Sequence, residues 1–549
     1  MTVQQPTPTQ TQASPSDRRL AFRGLLGGAV HVAEEMSAPI AAPALSGGRD
    51  AIVPLPFPIL PKNTTPHWHL ARRACIAPTA DIAAEIQRRG PAAWVKWQLR
   101  PDLIPDTLVE DIIAKWYPVV NFRNGADVHA YTERRAWEAA PALTRAILLR
   151  HLFGQRHLLE SMTEFWSDQV YVSIAGKAES YVADFNETVL RKHALGKFSD
   201  LLAAAVKHPA LLAYLDNNVN SADSVNENLG RELLELHTVG VGNYTEQDVR
   251  NSSLLLTGHS LDWDTLAYQY IPEWHHVGPL KIMGFSTANS TAAGGPAVLD
   301  QYARYLASHP ATARRIAKRL CVRYVSDNPP ATLITRLTRI YQENKTAIGP
   351  VLTALFASPE FAASAGKKVR RGQELIGSTM RARKPSAFVP MIYLENGEIT
   401  NDTQHNPWGS LGAHSWIVYV MGHSPRMWPY VDGYPDKATD WTSTNHLRTA
   451  WNMTEAVIQK WDEEFTIQEY RTILGVQPGQ SVIAVAQKMT EMLTGWKWDT
   501  RDIMSIASML SSQGNETPTT ATKLTDDMIR WNLELAVRMV NCSPYFLMR

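Results

Sequence analysis

Cysteine is almost missing from this chain: three occur in 549 residues, Cys75, Cys321 and Cys542, far apart and odd in number. That excludes a disulfide framework or a zinc knuckle as the organising device and leaves buried thiols as the expected role. No apolar run reaches the ~20 residues that a membrane-spanning helix needs. Neither sign of charge is in excess, with 54 Lys and Arg against 53 Asp and Glu, so nothing pulls the chain toward nucleic acid or an anionic membrane. No basic run or RNA-binding aromatic signature is present. Also missing are a Gly-x-x-x-x-Gly-Lys-Ser/Thr phosphate loop, a strand-borne dinucleotide fingerprint, a Gly-x-Ser-x-Gly elbow and a His-Glu-x-x-His helix. The usual markers of nucleotide hydrolysis, Rossmann redox chemistry, serine hydrolysis and zincin proteolysis are therefore absent. Convincing apolar/polar alternation is scarce as well, which argues against a sheet-based fold.

What the chain does have is helical periodicity. Apolar residues recur at the three-to-four spacing of one helix face through about 79–99, 105–116, 130–151, 152–170, 178–193, 196–206, 223–238 and 246–257, and again within 296–381 and 452–541. Some starts are readable: Thr245 ahead of Glu246 and Asp248 is a capping-box-like entry, and Ser358-Pro359 opens a short turn. Ser543-Pro544 ahead of Phe546 echoes Ser358-Pro359 ahead of Phe361, through shared helix-end chemistry or an old duplication. With 44% hydrophobic residues the chain can bury a large core. The expected fold is mainly α, a large multi-helical single body with long ordered loops and little or no β-sheet. Its expected parts are a disordered leader or linker over 1–58, a main helical core over 59–385, a Trp-, Pro- and Gly-rich loop region over 386–451, and C-terminal helices over 452–549 packed on the core. Residues 278–298 also read as loop. Arg18-Arg19 ahead of the apolar stretch from Gly24 to Val30 resembles a twin-arginine leader. Charged residues closely flank that stretch, so the reading favours a cytoplasmic protein, with export as the alternative.

Ionisable groups crowd beside apolar ones most densely over residues 226–249. At about 100° per residue, Glu227, Arg231 and Glu235 share one stripe with Glu232 beside it, while Leu229, Leu233 and Leu236 line another face. His237 falls on the leucine side, and Gly240 and Gly242 end the helix. One reading is a solvated face braced by Glu–Arg pairs, each contributing roughly 0.2–0.5 kcal/mol. The other is a site in which Asn226 and Asn228 orient Glu227, and Glu227, Arg231, Glu232, Glu235 and His237 act as catalytic groups.

A second polar stripe lies upstream, where His157, Glu160, Glu164 and Asp168 follow at spacings of three, four and four and share one helix face. Carboxylates and His/Glu pairs from facing helices hold metals in helical bundles. Glu160, Glu164 and Asp168 are therefore candidate ligands for a divalent metal opposite Glu227, Glu232 and Glu235. No clean second Glu-x-x-His pair is present, and a solvated charged stripe is the competing reading. His275 and His276, after Tyr268, Tyr270 and Trp274, offer a proton shuttle or a further ligand. His275 is the expected catalytic member and His276 the expected ligand; His405 and His414 carry no assigned role.

The run from Asn226 to Val241 resembles the block Asn-Glu-Asn-x-x-Arg-Glu-Leu-x-Glu-Leu-His-Thr-x-Gly-Val of the bacterial domain of unknown function 1800 family. His69-Leu70-Ala71-Arg72-Arg73, the stretch from Leu158 to Trp166, Tyr244-Thr245, Leu256-Thr257-Gly258, His309-Pro310 and Ser358-Pro359 follow in that family's order, so the resemblance covers roughly 65–549. The family is defined by sequence, and the resemblance implies membership more than an activity. Its members are often encoded beside members of the domain of unknown function 1501 family, which implies a partner protein of that kind. Departures fall on polar positions. Asp168-Gln169-Val170 stands where the family has Asn-His-Phe or similar, His275-His276 where it has His-Asp, and His259 where it has Trp. Chemistry resting on the missing histidine does not carry over. Two functions remain open: an enzyme with a carboxylate/histidine acid–base or metal-assisted site, and a non-catalytic binding or scaffold protein acting with such a partner.

Overall fold

The computed structural model describes residues 64–123, 125–132, 136–390, 392–393, 399–400, 412–458, 464–511 and 517–549. The expected leader over 1–58, its Arg18-Arg19 pair and His405 lie outside these residues. The chain divides into two compact units, one of residues 1–58 with 389–412 and the other of residues 59–388 with 413–549. In the first, the described residues form the antiparallel pair Ile392–Tyr393 and Ile399–Thr400. The second holds most of the described residues.

That unit is mainly α. Its first helix, Pro66–Ala74, starts where the Thr65 hydroxyl accepts the Trp68 amide and Pro66 presets the first helical φ. Thr245 forms a full capping box with Asp248 at the head of Glu246–Leu255. Ser358 and Ser543 each accept an amide three residues on, from Phe361 and Phe546, so the echo in the sequence is shared capping chemistry. Two expected helices continue as π turns: Asn228–Glu232 passes into Leu233–His237, and Val182–Asp184 into Phe185–Arg191. Such wide turns often mark functional segments.

Among the described residues, strands pair only two by two. His259–Asp262 pairs with Ala267–Tyr270, and Leu280–Ile282 with Phe285–Thr287. The second hairpin falls where the sequence reads as loop. Its three-residue strands are too short for alternation to register, and Met283 and Gly284, both at positive φ, form its two-residue turn. The interval 386–451 likewise holds helices Gly412–Val420 and Ala438–Trp441 and the start of Thr444–Ile458. Ala438–Trp441 is too short for a period to register, and the Trp-, Pro- and Gly-rich composition around these helices masks the rest.

Among the described residues, three apolar cores result. The largest gathers Leu70, Trp94, Met162, Trp166, Leu233 and Leu320, the second Leu143, Leu149, Ile376 and Ile417, and the third Val369, Met489, Trp496, Val537 and Met548. All three cysteines are free, with Cys75 and Cys321 buried.

Candidate functional site

Helix His157–Gln169 is buried all round except at Glu164. Its carboxylates are therefore not a solvated stripe, and each needs a partner. Arginines supply them in two separate systems. Glu160 takes Arg191 at 2.9 Å, and Arg191 also reaches Glu110 at 3.1 Å. Beside it the buried Arg150 meets Glu187 at 2.5 Å and Glu110 at 3.3 Å. Burial raises the Glu187 carboxyl, but Arg150 and Arg191 outweigh that and hold it below the usual carboxylate range.

Glu164 and Asp168 enter a larger system. Glu164 lies 2.6 Å from Arg371 and 2.8 Å from Arg323, and Asp168 lies 3.2 Å from Arg371. Arg323 also meets Asp436 at 3.1 Å and Glu374 at 3.3 Å; Glu374 meets Arg549 at 3.0 Å, and Lys368 meets Asp327 at 2.6 Å. His423 Nδ1 accepts the Gln373 amide, which leaves the ring proton on Nε2, 3.6 Å from Glu164. Asp168 stands apart electrostatically. Burial pushes its carboxyl up to about 6, with Arg371 opposing and Glu164 and Asp436 adding to the rise. Gly433 packs against it at a φ of 74°, where a Cβ would lie 2.4 Å from the Asp168 carbonyl oxygen. That close approach lets the Tyr434 amide donate to the Asp168 carboxylate at 3.2 Å.

The 227–237 segment meets this helix at its end, not along its acidic face. Arg231 pairs with Glu246 at 2.7 Å and Glu227 at 3.3 Å, all partly exposed, and Glu235 accepts the Tyr244 hydroxyl at 2.6 Å. Glu232 is half-buried, its carboxyl pushed up by burial and then by Glu235, with Arg231 opposing. Among the described residues, no hydrogen bond or ion pair joins these four to Glu160, Glu164 or Asp168. His237, carried inward by the π turn, does touch the other helix. Its Nδ1 donates to the Gln169 carbonyl at 3.1 Å, and the Gln169 amide returns bonds to the carbonyls of Leu236 and His237. Burial pushes His237 down to about 4, and the nearby Arg315 and Arg319 add to the fall.

The histidine loop forms a third centre. His275 is buried with Nδ1 at 2.8 Å from the Thr257 carbonyl and Nε2 at 3.0 Å from Asn289 Oδ1, so both ring nitrogens are engaged. His276 is half-buried, with its backbone amide on Thr257 Oγ1, and burial lowers its ring. His259 bonds the Tyr268 hydroxyl at 2.7 Å, and burial pushes it down to about 3. The expected metal set is thus divided: Glu160 lies with Arg191, Glu164 and Asp168 with Arg371, and His276 in the loop. Guanidinium groups stand where an ion would bind. Among the described residues, no group of three or more His, Cys, Asp or Glu side chains is placed to hold a metal ion.

A family model described as a protein of unknown function (DUF1800) matches residues 69–548. The chain belongs to that family. No curated protein and no solved structure matches it. In this DUF1800 protein Glu164 and Asp168 of the buried system are legible in the sequence as part of a stripe, whereas Arg323, Arg371, Glu374, His423, Asp436 and Arg549 are not. The one sequence sign was Arg370-Arg371 opening a helix, Gly372–Ala382, that is buried on nearly every side.

Proposed function

We propose that this DUF1800 protein is a partner-binding protein, and that it docks another protein on the outer face of helix Asp526–Asn541. The observation that carries the reading is an apolar stripe at helical spacing: Trp531, Leu535 and Met539 are 61%, 44% and 36% exposed. Trp451, from the neighbouring helix Thr444–Ile458, is 49% exposed. Trp451, Leu535, Met539 and Met509 border a recess of about 400 Å³ that also holds Cys542 and the ion-paired Arg538 and Glu455. Exposed Trp and Met beside a recess of side-chain size are what an interface anchor requires. The partner is a member of the domain of unknown function 1501 family, presenting an apolar side chain to the recess. Titration calorimetry with such a protein should give saturable binding, weakened at least tenfold by Trp531→Ser with Leu535→Ser while the circular dichroism stays unchanged. Equal affinity for wild type and the double variant overturns the reading.

The raised Asp168 carboxyl supports a second reading, acid–base catalysis. Asp168 would act as acid or base within its own buried system, with His237, bonded to the adjacent Gln169, and Glu227, Arg231, Glu232, Glu235 and His275 as further candidate groups that do not bond to it. Carbon-13 NMR titration of Asp168 tests its basis, and a midpoint below pH 4 removes that support.

A further inference from the structure

The ion pairs of the large buried system do not reach all of its arginines. Seven cations, Arg72, Arg73, Arg323, Lys368, Arg370, Arg371 and Arg549, together with Arg319, which donates to the Asp168 carbonyl, gather about five carboxylates, Glu164, Asp168, Asp327, Glu374 and Asp436. Arg323, Lys368, Arg371 and Arg549 have close carboxylates. Arg72, Arg73 and Arg370 are equally buried and have none among the described residues. Arg72 donates to the Thr494 carbonyl and the Thr64 hydroxyl, and Arg73 to the Ser364 carbonyl at 2.6 Å. Arg370 has only the Phe546 ring, 4.4 Å from its guanidinium carbon.

Two unbonded acceptors of the system, Glu164 Oε1 and Glu374 Oε1, still lie 2.6 Å from Arg371 and 3.0 Å from Arg549, whereas the unbonded atoms around Arg72, Arg73 and Arg370 are donors. Arg370 Nε, Nη1 and Nη2, Arg73 Nε and Nη1, Arg72 Nε and Trp496 Nε1 are buried without an acceptor. Every one is a donor. They share a neighbourhood, because Arg72 stacks on the Trp496 ring at 4.0 Å and the charges of Arg73 and Arg370 both press on Arg72. The pairing of Val369 with Met548 brings Arg549 alongside, where its guanidinium donates to the carbonyls of Arg72 and Arg73. Arginine does not escape burial by losing its proton, and buried donors without acceptors are rare in folded proteins. Water would satisfy the bonds but not the surplus of cations.

We propose that this cluster holds a small inorganic anion, one that accepts hydrogen bonds and donates none, enclosed among Arg73, Arg370, Arg72 and the Trp496 indole. A halide and an oxyanion share that chemistry. The test is unfolding of the full chain at constant ionic strength, with chloride or sulfate, an oxyanion without an O–H at neutral pH, replacing gluconate. The unfolding constant should fall about tenfold for each tenfold rise of the resident anion above its dissociation constant, a slope of one ion. The anion that produces this slope is the occupant. Crystals soaked in bromide should show an anomalous peak between Arg73 and Arg370 if the occupant is a halide. Arg370→Met should abolish the slope. A flat response to both anions overturns the proposal, as does an undiminished slope in Arg370→Met. A bromide peak without any chloride dependence marks an adventitious ion only and also overturns it. Should Arg370→Met fail to fold, the wild-type titration decides alone.

Discussion

Replacing Arg323 with methionine measures what the buried ionic system contributes. Its side chain is 0% exposed and meets Glu164 at 2.8 Å, Asp436 at 3.1 Å and Glu374 at 3.3 Å. Without it, Glu164 keeps Arg371 at 2.6 Å and Glu374 keeps Arg549 at 3.0 Å. Asp436 is left with Arg371 at 3.8 Å and Arg549 at 4.0 Å. A carboxylate that is 19% exposed loses its close partner, and breaking a buried pair from one side costs about 3–5 kcal/mol, an upper bound for this part-buried one. The deficit has a definite pH dependence. Burial raises the Asp436 carboxyl, but Arg323, Arg371 and Lys368 outweigh it and hold the group well below its ordinary 3.8. A depressed carboxyl adds stability that is present above the unfolded value and is lost as pH falls through the folded one. Removing Arg323 raises the folded value, so the variant's deficit is full at pH 7 and smaller at pH 4. Urea unfolding at both pH values, followed by circular dichroism and tryptophan fluorescence, measures it. Arg323→Met with Asp436→Leu should recover part of the loss, because apolar replacement of both partners removes the stranded charge. A deficit below ~1 kcal/mol at pH 7, or one equal at pH 4 and pH 7, refutes the reasoning.

Asp168 has the opposite sign. Its folded value of about 6 lies above 3.8, so its contribution is full below the unfolded value and is lost as pH rises through the folded one. Keeping it charged at pH 7 costs up to about 3 kcal/mol. Asp168→Asn should flatten the stability profile between pH 4 and pH 6, and an unchanged slope there rejects the assignment. Gly433→Ala places a Cβ 2.4 Å from the Asp168 carbonyl oxygen at a φ of 74°; it should cost at least ~1–3 kcal/mol by urea midpoint, and a neutral result would mean that this turn moves freely. Glu227→Gln should cost less than ~1 kcal/mol, because its pairs with Arg231 and Arg250 are solvent-screened; a larger loss in thermal melts would show that these pairs are buried in solution.

Much of the fold was legible because its signals are local. The caps at Thr245, Ser358 and Ser543 act within three residues, and the helical period needs only a short window. The shared face of Glu160, Glu164 and Asp168 was legible for the same reason. Its environment was not, since the counter-charge of Glu160 lies 31 residues away and that of Asp168 lies 203 residues away. An acidic stripe reads identically whether water or arginine faces it. The π turn at Leu233–His237 also escaped, because a wheel drawn at constant pitch assumes that the helix never widens. The wheel still placed His237 on the leucine side, where it is buried.

The position of Arg549 bears on how the protein is made. Its guanidinium reaches carbonyls of Arg72 and Arg73 that precede it by 477 and 476 residues, and it supplies the closest cation to Glu374. A nascent chain that has emitted helix Pro66–Ala74 must therefore add more than 400 further residues before that helix meets Arg549, roughly 20 s or more at ~5–20 residues per second. From its own synthesis until Arg549 follows, about 175 residues later, Glu374 lacks its closest cation. The buried ionic system can therefore close only after translation has passed residue 549.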